Sequence, residues 1–175
     1  MPRTTLLRIL LTFLALASFS TEGTPMSLFS QSKEIVLASP MEGFLTYEGK
    51  PAADVKIVRK LRWYDGEEST EDFAVTDKDG RFNLPIVKRV LKVSGYVQFV
   101  VSQEIAALYK NEEILIWAMG KSSKIEYGEL GGKPVNLHCE LTSDKHITRD
   151  YNTPLMTRCN WDSLEPWVDT EYPDQ

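Results

Sequence analysis

The chain has 175 residues, enough for one compact domain and too few for two ordinary ones. Hydrophobic residues make up 42% and charged residues 26%, with seven Phe, seven Tyr and four Trp, a composition that can bury a core and excludes wholesale disorder. The net charge of −5 excludes the basic footprint of a nucleic-acid-binding protein.

Arg3 and Arg8 frame the start of an apolar run, Ile9 to Ala17, and small residues follow at Ser18 and Ser20. A basic start, a short apolar stretch and a small-residue site make a secretory signal peptide over residues 1–20. The run is too short for a membrane span of roughly 20 residues, and no Cys follows it to carry a lipid. After cleavage no membrane insertion is expected, and the protein is periplasmic or secreted. If translation starts at Met26, the protein is cytoplasmic instead. Without residues 1–20, 18 basic and 25 acidic residues remain, a net charge of −7. That balance suits a soluble protein and is compatible with a basic partner.

Residues 21–34 are small and polar and read as a leader. Strand signals follow at Ile35-Val36-Leu37 and Gly43 to Tyr47. From Val55 to Trp63 the residues alternate, with Val55, Ile57, Arg59, Leu61 and Trp63 on one face and Lys56, Val58, Lys60 and Arg62 on the other. Asp65-Gly66 opens a turn, and Phe73 to Thr76 returns as a strand. Asp77-Lys78-Asp79-Gly80 is a tight turn, and Arg81 to Leu84 a strand ended by Pro85. Val97 to Val101 and Ile114 to Ala118 have the continuous apolar character of strands buried on both faces. Between them Gln103 to Lys110 fits either a short helix or a longer strand. Lys124 to Tyr127 and Val135 to Leu141 give two more short strands, parted by Gly131-Gly132. From about 143 the pattern fails, and residues 161–175 carry five acids, two Trp, one Tyr and no Lys or Arg. The expected fold is an all-β antiparallel sandwich of about seven or eight strands over residues 35–142, with a C-terminal extension over 143–175.

Gly43-Phe44-Leu45-Thr46, Gly49-Lys50-Pro51 with Val55, and Thr76-Asp77-Lys78-Asp79-Gly80-Arg81-Phe82 stand at the spacings of a known unit. This stretch of about 50 residues resembles the carboxypeptidase regulatory-like, transthyretin-like β-sandwich family. The resemblance implies an Ig-like sandwich in which Val55 and Phe82 point into the core and Gly80 turns the second hairpin. It says little about function, because such sandwiches serve as spacers, carbohydrate-binding accessories and interaction modules. Asp54 departs from the pattern, which has Gly before the strand Val. The run Leu37 to Gly43 after Met26-Ser27-Leu28-Phe29 is also similar to a family of small bacterial proteins of uncharacterised role, many of which begin at the position matching Met26.

Candidate chemistry is sparse. Cys139 and Cys159 form one disulfide if the chain is exported, closing a loop of about 20 residues worth about 3 kcal/mol. In a reducing compartment they are buried thiols. His138, Cys139, His146 and Cys159 match no zinc spacing, so no metal is expected. The Asp77 turn resembles the start of a calcium loop, but its twelfth position holds Lys88 in place of Glu. With two His and no nucleophile motif, no catalytic residues and no cofactor are expected. Lys88, Arg89 and Lys92, like Lys56 to Arg62, are interleaved with strand hydrophobics and read as solvated sheet faces.

The C-terminal segment offers the candidate binding residues Trp161, Asp162, Glu165, Trp167 and Asp169. Either the two Trp dock back on the sandwich with the acids in water, or the segment anchors a partner through its rings. The expected function is therefore a non-catalytic exported module that binds another protein, in its sharpest form an immunity protein against a periplasmic toxin. The alternatives are an accessory carbohydrate- or small-ligand-binding domain, which would show exposed Tyr47, Trp63 or Tyr64, and a structural envelope protein.

Overall fold

The computed structural model describes residues 31–63, 67–93, 98–151 and 153–166. Among them are fifteen strands and no helix, so none that is long and apolar enough to cross a membrane. The fold is an all-β sandwich. One layer is a six-stranded antiparallel sheet. Its strands run in the order β12 (His146–Thr148), β13 (Leu155–Thr157), β9 (Glu112–Lys121), β8 (Val101–Tyr109), β4 (Lys56–Trp63) and β5 (Glu68–Val75). The facing layer centres on β2 (Met41–Tyr47). β3 (Lys50–Pro51) and β6 (Arg81–Leu84) pair with it antiparallel, and β11 (His138–Glu140) pairs with it in parallel. Beyond β11 lies β14 (Cys159–Asn160). Two ribbons complete the structure: β1 (Gln31–Ala38) with β7 (Val87–Val93), and β10 (Lys133–Val135) with β15 (Ser163–Glu165).

The alternation in β4 does what the sequence leads one to expect. Ile57, Arg59, Leu61 and Trp63 face inward and are buried. Ile57 joins Leu45, Phe82, Leu84, Ile105 and Trp117 in the main core between the layers. Leu61 and Trp63 belong to a second cluster with Ile35, Leu37, Phe99 and Val101, beneath the β1–β7 ribbon. Gly80 adopts φ +77, and a Cβ there would lie 2.4 Å from the Leu45 carbonyl oxygen, so the turn needs glycine on both counts. Asp54 takes φ +56, the left-handed conformation that glycine adopts most easily.

Of the two readings open for residues 103–110 the strand holds, and several other elements differ from the sequence reading. Residues 103–109 are strand, because β8 finds ladder partners on both sides, β4 and β9. Lys124 to Tyr127 forms no strand but enters a turn in which Tyr127 takes φ +53. The stretch Val135 to Leu141 splits into β10 and β11, because Asn136 takes φ +55 and redirects the chain. Beyond residue 142 the sheets continue: β12 and β13 extend the six-stranded sheet, and β14 and β15 pair with β11 and β10.

β1 leads into β2 and β6 into β7 through two kinks that lie opposite each other. The ladder pairs Ala38 with Val87 and Met41 with Leu84, and Ser39-Pro40 and Pro85-Ile86 fall between. Each proline lacks an N–H and cannot continue the ladder. Arg59, fully buried, fills the gap. Its Nη1 donates to Ser39 O at 3.0 Å and its Nη2 to Pro85 O, while Nε and Nη2 hold the Asp72 carboxylate at 2.9 and 2.5 Å. On the far side of Ser39, its Oγ donates to Glu129 Oε2 (2.8 Å) and its N–H to Oε1 (3.2 Å). Lys121, also buried, donates to Glu129 Oε2 at 2.7 Å and to Ile125 O at 2.6 Å. Ser39 thus links two buried cations, Arg59 directly and Lys121 through Glu129. Arg59 is matched by Asp72 and by two carbonyls at the interrupted ladder, Lys121 by Glu129 and the Ile125 carbonyl.

Candidate functional site

A groove of about 840 Å³ lies between the outer part of β2 and β6, the end of β5 and residues 133–137. Its shape follows from one close crossing. The Phe44 N–H donates to Leu137 O at 2.9 Å, and a Cβ on Gly43 would sit 2.7 Å from that same oxygen. Glycine therefore lets the strand leading into β11 run tight against β2. Asn136 ties this strand to the start of β15 through Asp162 Oδ2 at 2.7 Å, and Asp162 N–H donates to Val135 O at 3.0 Å. Lys133 lies opposite Glu165 in the β10–β15 ribbon. On the facing wall the Arg81 guanidinium covers the Phe44 ring, 4.4 Å from its centroid. Asp77 Oδ1 accepts from the N–H groups of Asp79 and Arg81, so this carboxylate shapes the turn.

The groove meets the outer edge of the six-stranded sheet at Ala74 and Val75. There β5 presents Phe73 and Val75 with 59% and 53% of their surface exposed. Lys56 Nζ stands 4.4 Å over the Phe73 ring. In register with Phe73, the outer face continues through Val58, Ala106 and Leu115. Large apolar groups on the open edge of a sheet are unusual unless something uses them.

Cys139 and Cys159 lie opposite each other in the β11–β14 pair, with their sulfurs 1.96 Å apart in a disulfide. Trp161 packs half-buried against the core, its ring 5.9 Å from that of Trp117 and 6.1 Å from that of Tyr151. It is docked on the sandwich, while Asp162 and Glu165 are exposed. Of the predicted binding residues that are described, Trp161, Asp162 and Glu165, only Glu165 lines the groove. Trp167 and Asp169 lie outside the described residues. His138 contacts Thr46 Oγ1 at 2.7 Å, and His146 is exposed on β12. No cluster of three His, Cys, Asp or Glu that could hold a metal occurs among the described residues.

Glu140, unremarked in the sequence, is the most strongly perturbed carboxylate among the described residues. Burial pushes its pKa up, but hydrogen bonds from the Thr142 and Thr46 hydroxyls and from the Thr142 and Gly49 amides outweigh this and hold it at about 2. Its place between two turns makes it a structural clasp for Glu48-Gly49 and Thr142. Tyr127 is pushed up to about 12 by burial and by the carboxylates around it, Glu126 foremost. A phenol held so far from neutrality stays protonated and offers no base.

A family model described as a domain of unknown function (DUF6795) matches residues 41–144. The chain belongs to this family. No curated protein and no solved structure matches the chain. The DUF6795 region runs from β2 through β11 and contains the Arg81–Phe44 wall of the groove and all of β5. β1, β12–β15 and the second cysteine lie outside it. Gly43 and Asn136, which shape the groove, fall within the DUF6795 region, while Glu165, which also lines it, lies outside.

Proposed function

We propose that this DUF6795 protein is an exported, non-catalytic sandwich of the transthyretin-like kind that binds another protein. The carrying observation is the exposure of Phe73 and Val75 on β5, beside the 840 Å³ groove. Exposed aromatic and aliphatic side chains on a rigid strand are what a partner buries at the centre of an interface. The Cys139–Cys159 disulfide and the N-terminal sequence support an oxidising compartment. The Gly43, Gly80 and Phe82 geometry supports the transthyretin-like assignment.

The carbohydrate-binding alternative draws less support. Trp63 is buried in the second cluster, and Tyr47 stacks on Tyr109 at 4.9 Å beneath Lys110. Tyr64 lies outside the described residues. A sugar platform needs a bare ring face, and these rings are covered. An enzymatic reading lacks a nucleophile with a base in reach within the groove, where Asp77 is committed to its turn.

The test is co-purification of the tagged full-length protein from its own cells, with mass spectrometry of what it retains. The expected result is a stoichiometric partner that Phe73→Ser with Val75→Ser releases. A monomer that retains nothing would overturn the proposal.

A further inference from the structure

β5 pairs on one side only, with β4. The Thr76 N–H donates to Val55 O at 3.0 Å, which marks that pair as hydrogen-bonded. Bonded pairs alternate along an antiparallel ladder, and no bulge interrupts the β4–β5 register. Ala74, Asp72 and Thr70 therefore turn their N–H and C=O groups toward β4. Ser69, Glu71, Phe73 and Val75 turn theirs to the open edge, and all four are exposed. Residues 67–75 carry Glu67, Glu68, Glu71 and Asp72 and no Lys or Arg. Arg59 neutralises Asp72, and the β4 cations Lys60 and Arg62 are matched by Glu113 and Glu104, so the three glutamates outnumber Lys56, over Phe73, and Arg89, beside Thr70.

We infer that this edge takes an extended, Lys- or Arg-rich segment of the partner protein as a seventh strand of the sheet. The inference rests on the binding-module reading and adds the mode and chemistry of the partner. Main-chain bonds to Ser69, Glu71, Phe73 and Val75 would supply affinity. Glu71, Phe73 and Val75 share the outer face, so along that face of the added strand a basic side chain would meet Glu71 and apolar ones would lie over Phe73 and Val75. A second copy offering the same strand brings only further acids to this edge, and like charges set opposite one another oppose such a pairing.

The probe is a short extended peptide with one Lys and two Val at alternate positions along one face and Lys along the other, compared with one in which Glu replaces Lys, titrated at low salt into the full-length protein. Amide NMR follows the site and size-exclusion chromatography with light scattering follows the mass. The Lys peptide should bind at least tenfold more tightly, with shifts concentrated at residues 69, 71, 73 and 75. Glu71→Pro removes one outward N–H while leaving the β4 ladder whole, and should weaken binding at least tenfold. Should that variant unfold, Glu68→Lys with Glu71→Lys reverses the charge on an intact backbone and should do the same. Equal affinity for the two peptides, no binding of the Lys peptide, or shifts centred elsewhere would overturn the inference. So would a dimer dissolved by Glu71→Pro, which would name a second copy as the occupant. A co-purified partner that these variants still hold would sink the inference while the binding-module reading stands. No partner at all would sink that reading with it.

Discussion

Arg59 and Phe73 occupy adjacent strands of one sheet, one register step apart, and each sits where the other's chemistry belongs. The guanidinium has no exposed surface, and the phenyl ring has most of its surface exposed. The difference lies in what each finds around it. Arg59 meets two carbonyls freed by the kinks and a carboxylate, so its burial is fully matched. Phe73 meets one lysine and solvent. Matched burial points to a structural role, and unmatched exposure is the observation on which the proposed partner-binding role rests.

The largest effect expected is at Arg59. Arg59→Ala leaves Asp72 unpaired and two carbonyls without donors, and should cost about 3–5 kcal/mol in urea unfolding. A loss near zero would break the comparison at its buried end. Lys121→Met, which strands Glu129, should cost a similar or slightly smaller amount, about 3 kcal/mol. Because Ser39 joins Arg59 to Glu129, the partner of Lys121, the double variant should fall short of the summed losses. Replacing Cys139 and Cys159 together with Ala should cost about 3 kcal/mol.

Glu140→Gln should cost roughly 1–2 kcal/mol at neutral pH, after allowance for partial solvent screening. Its pKa in the fold is about 2, against 4.5 for a free glutamate. The carboxylate therefore contributes fully above about pH 4.5, and the difference between wild type and variant should close as pH falls through 2. The smallest effect is the one that sharpens the comparison. Phe73→Ser with Val75→Ser should leave the melting temperature nearly unchanged, within about 0.5 kcal/mol, while releasing the partner. A large destabilisation there would mean that the edge is part of the fold's own packing.

The inward face of β4 was legible in the sequence, Arg59 included, because strand alternation fixes direction whatever the residue type. The reason an arginine belongs there was not legible, since its partners come from Ser39 and Pro85, far along the chain. The same limit hid Lys121 and Glu140, whose roles depend on which loops the fold brings beside them. The Gly43 to Phe82 motif announced its turns because glycine and proline act locally. β12 to β15 were not foreseen because two- and three-residue strands carry no periodicity, and they exist only through partners already in place. The docking of Trp161 was one of two readings the sequence left open, and the exposed edge of β5 required the strand order, which periodicity alone does not give.

The pairing of β2 with β11 is parallel, alone among the pairings described, and joins residues roughly ninety positions apart in the chain. β2 cannot complete that side of its ladder until the chain has been made past Glu140. The loop-closure entropy of this contact falls due before its reward arrives, so the step belongs late in folding and makes it slow. Until then one flank of the central strand stands open beside exposed core residues, the kind of state that aggregates. Under the export proposed above, such a delay would keep the sandwich from closing until Glu140 has been made.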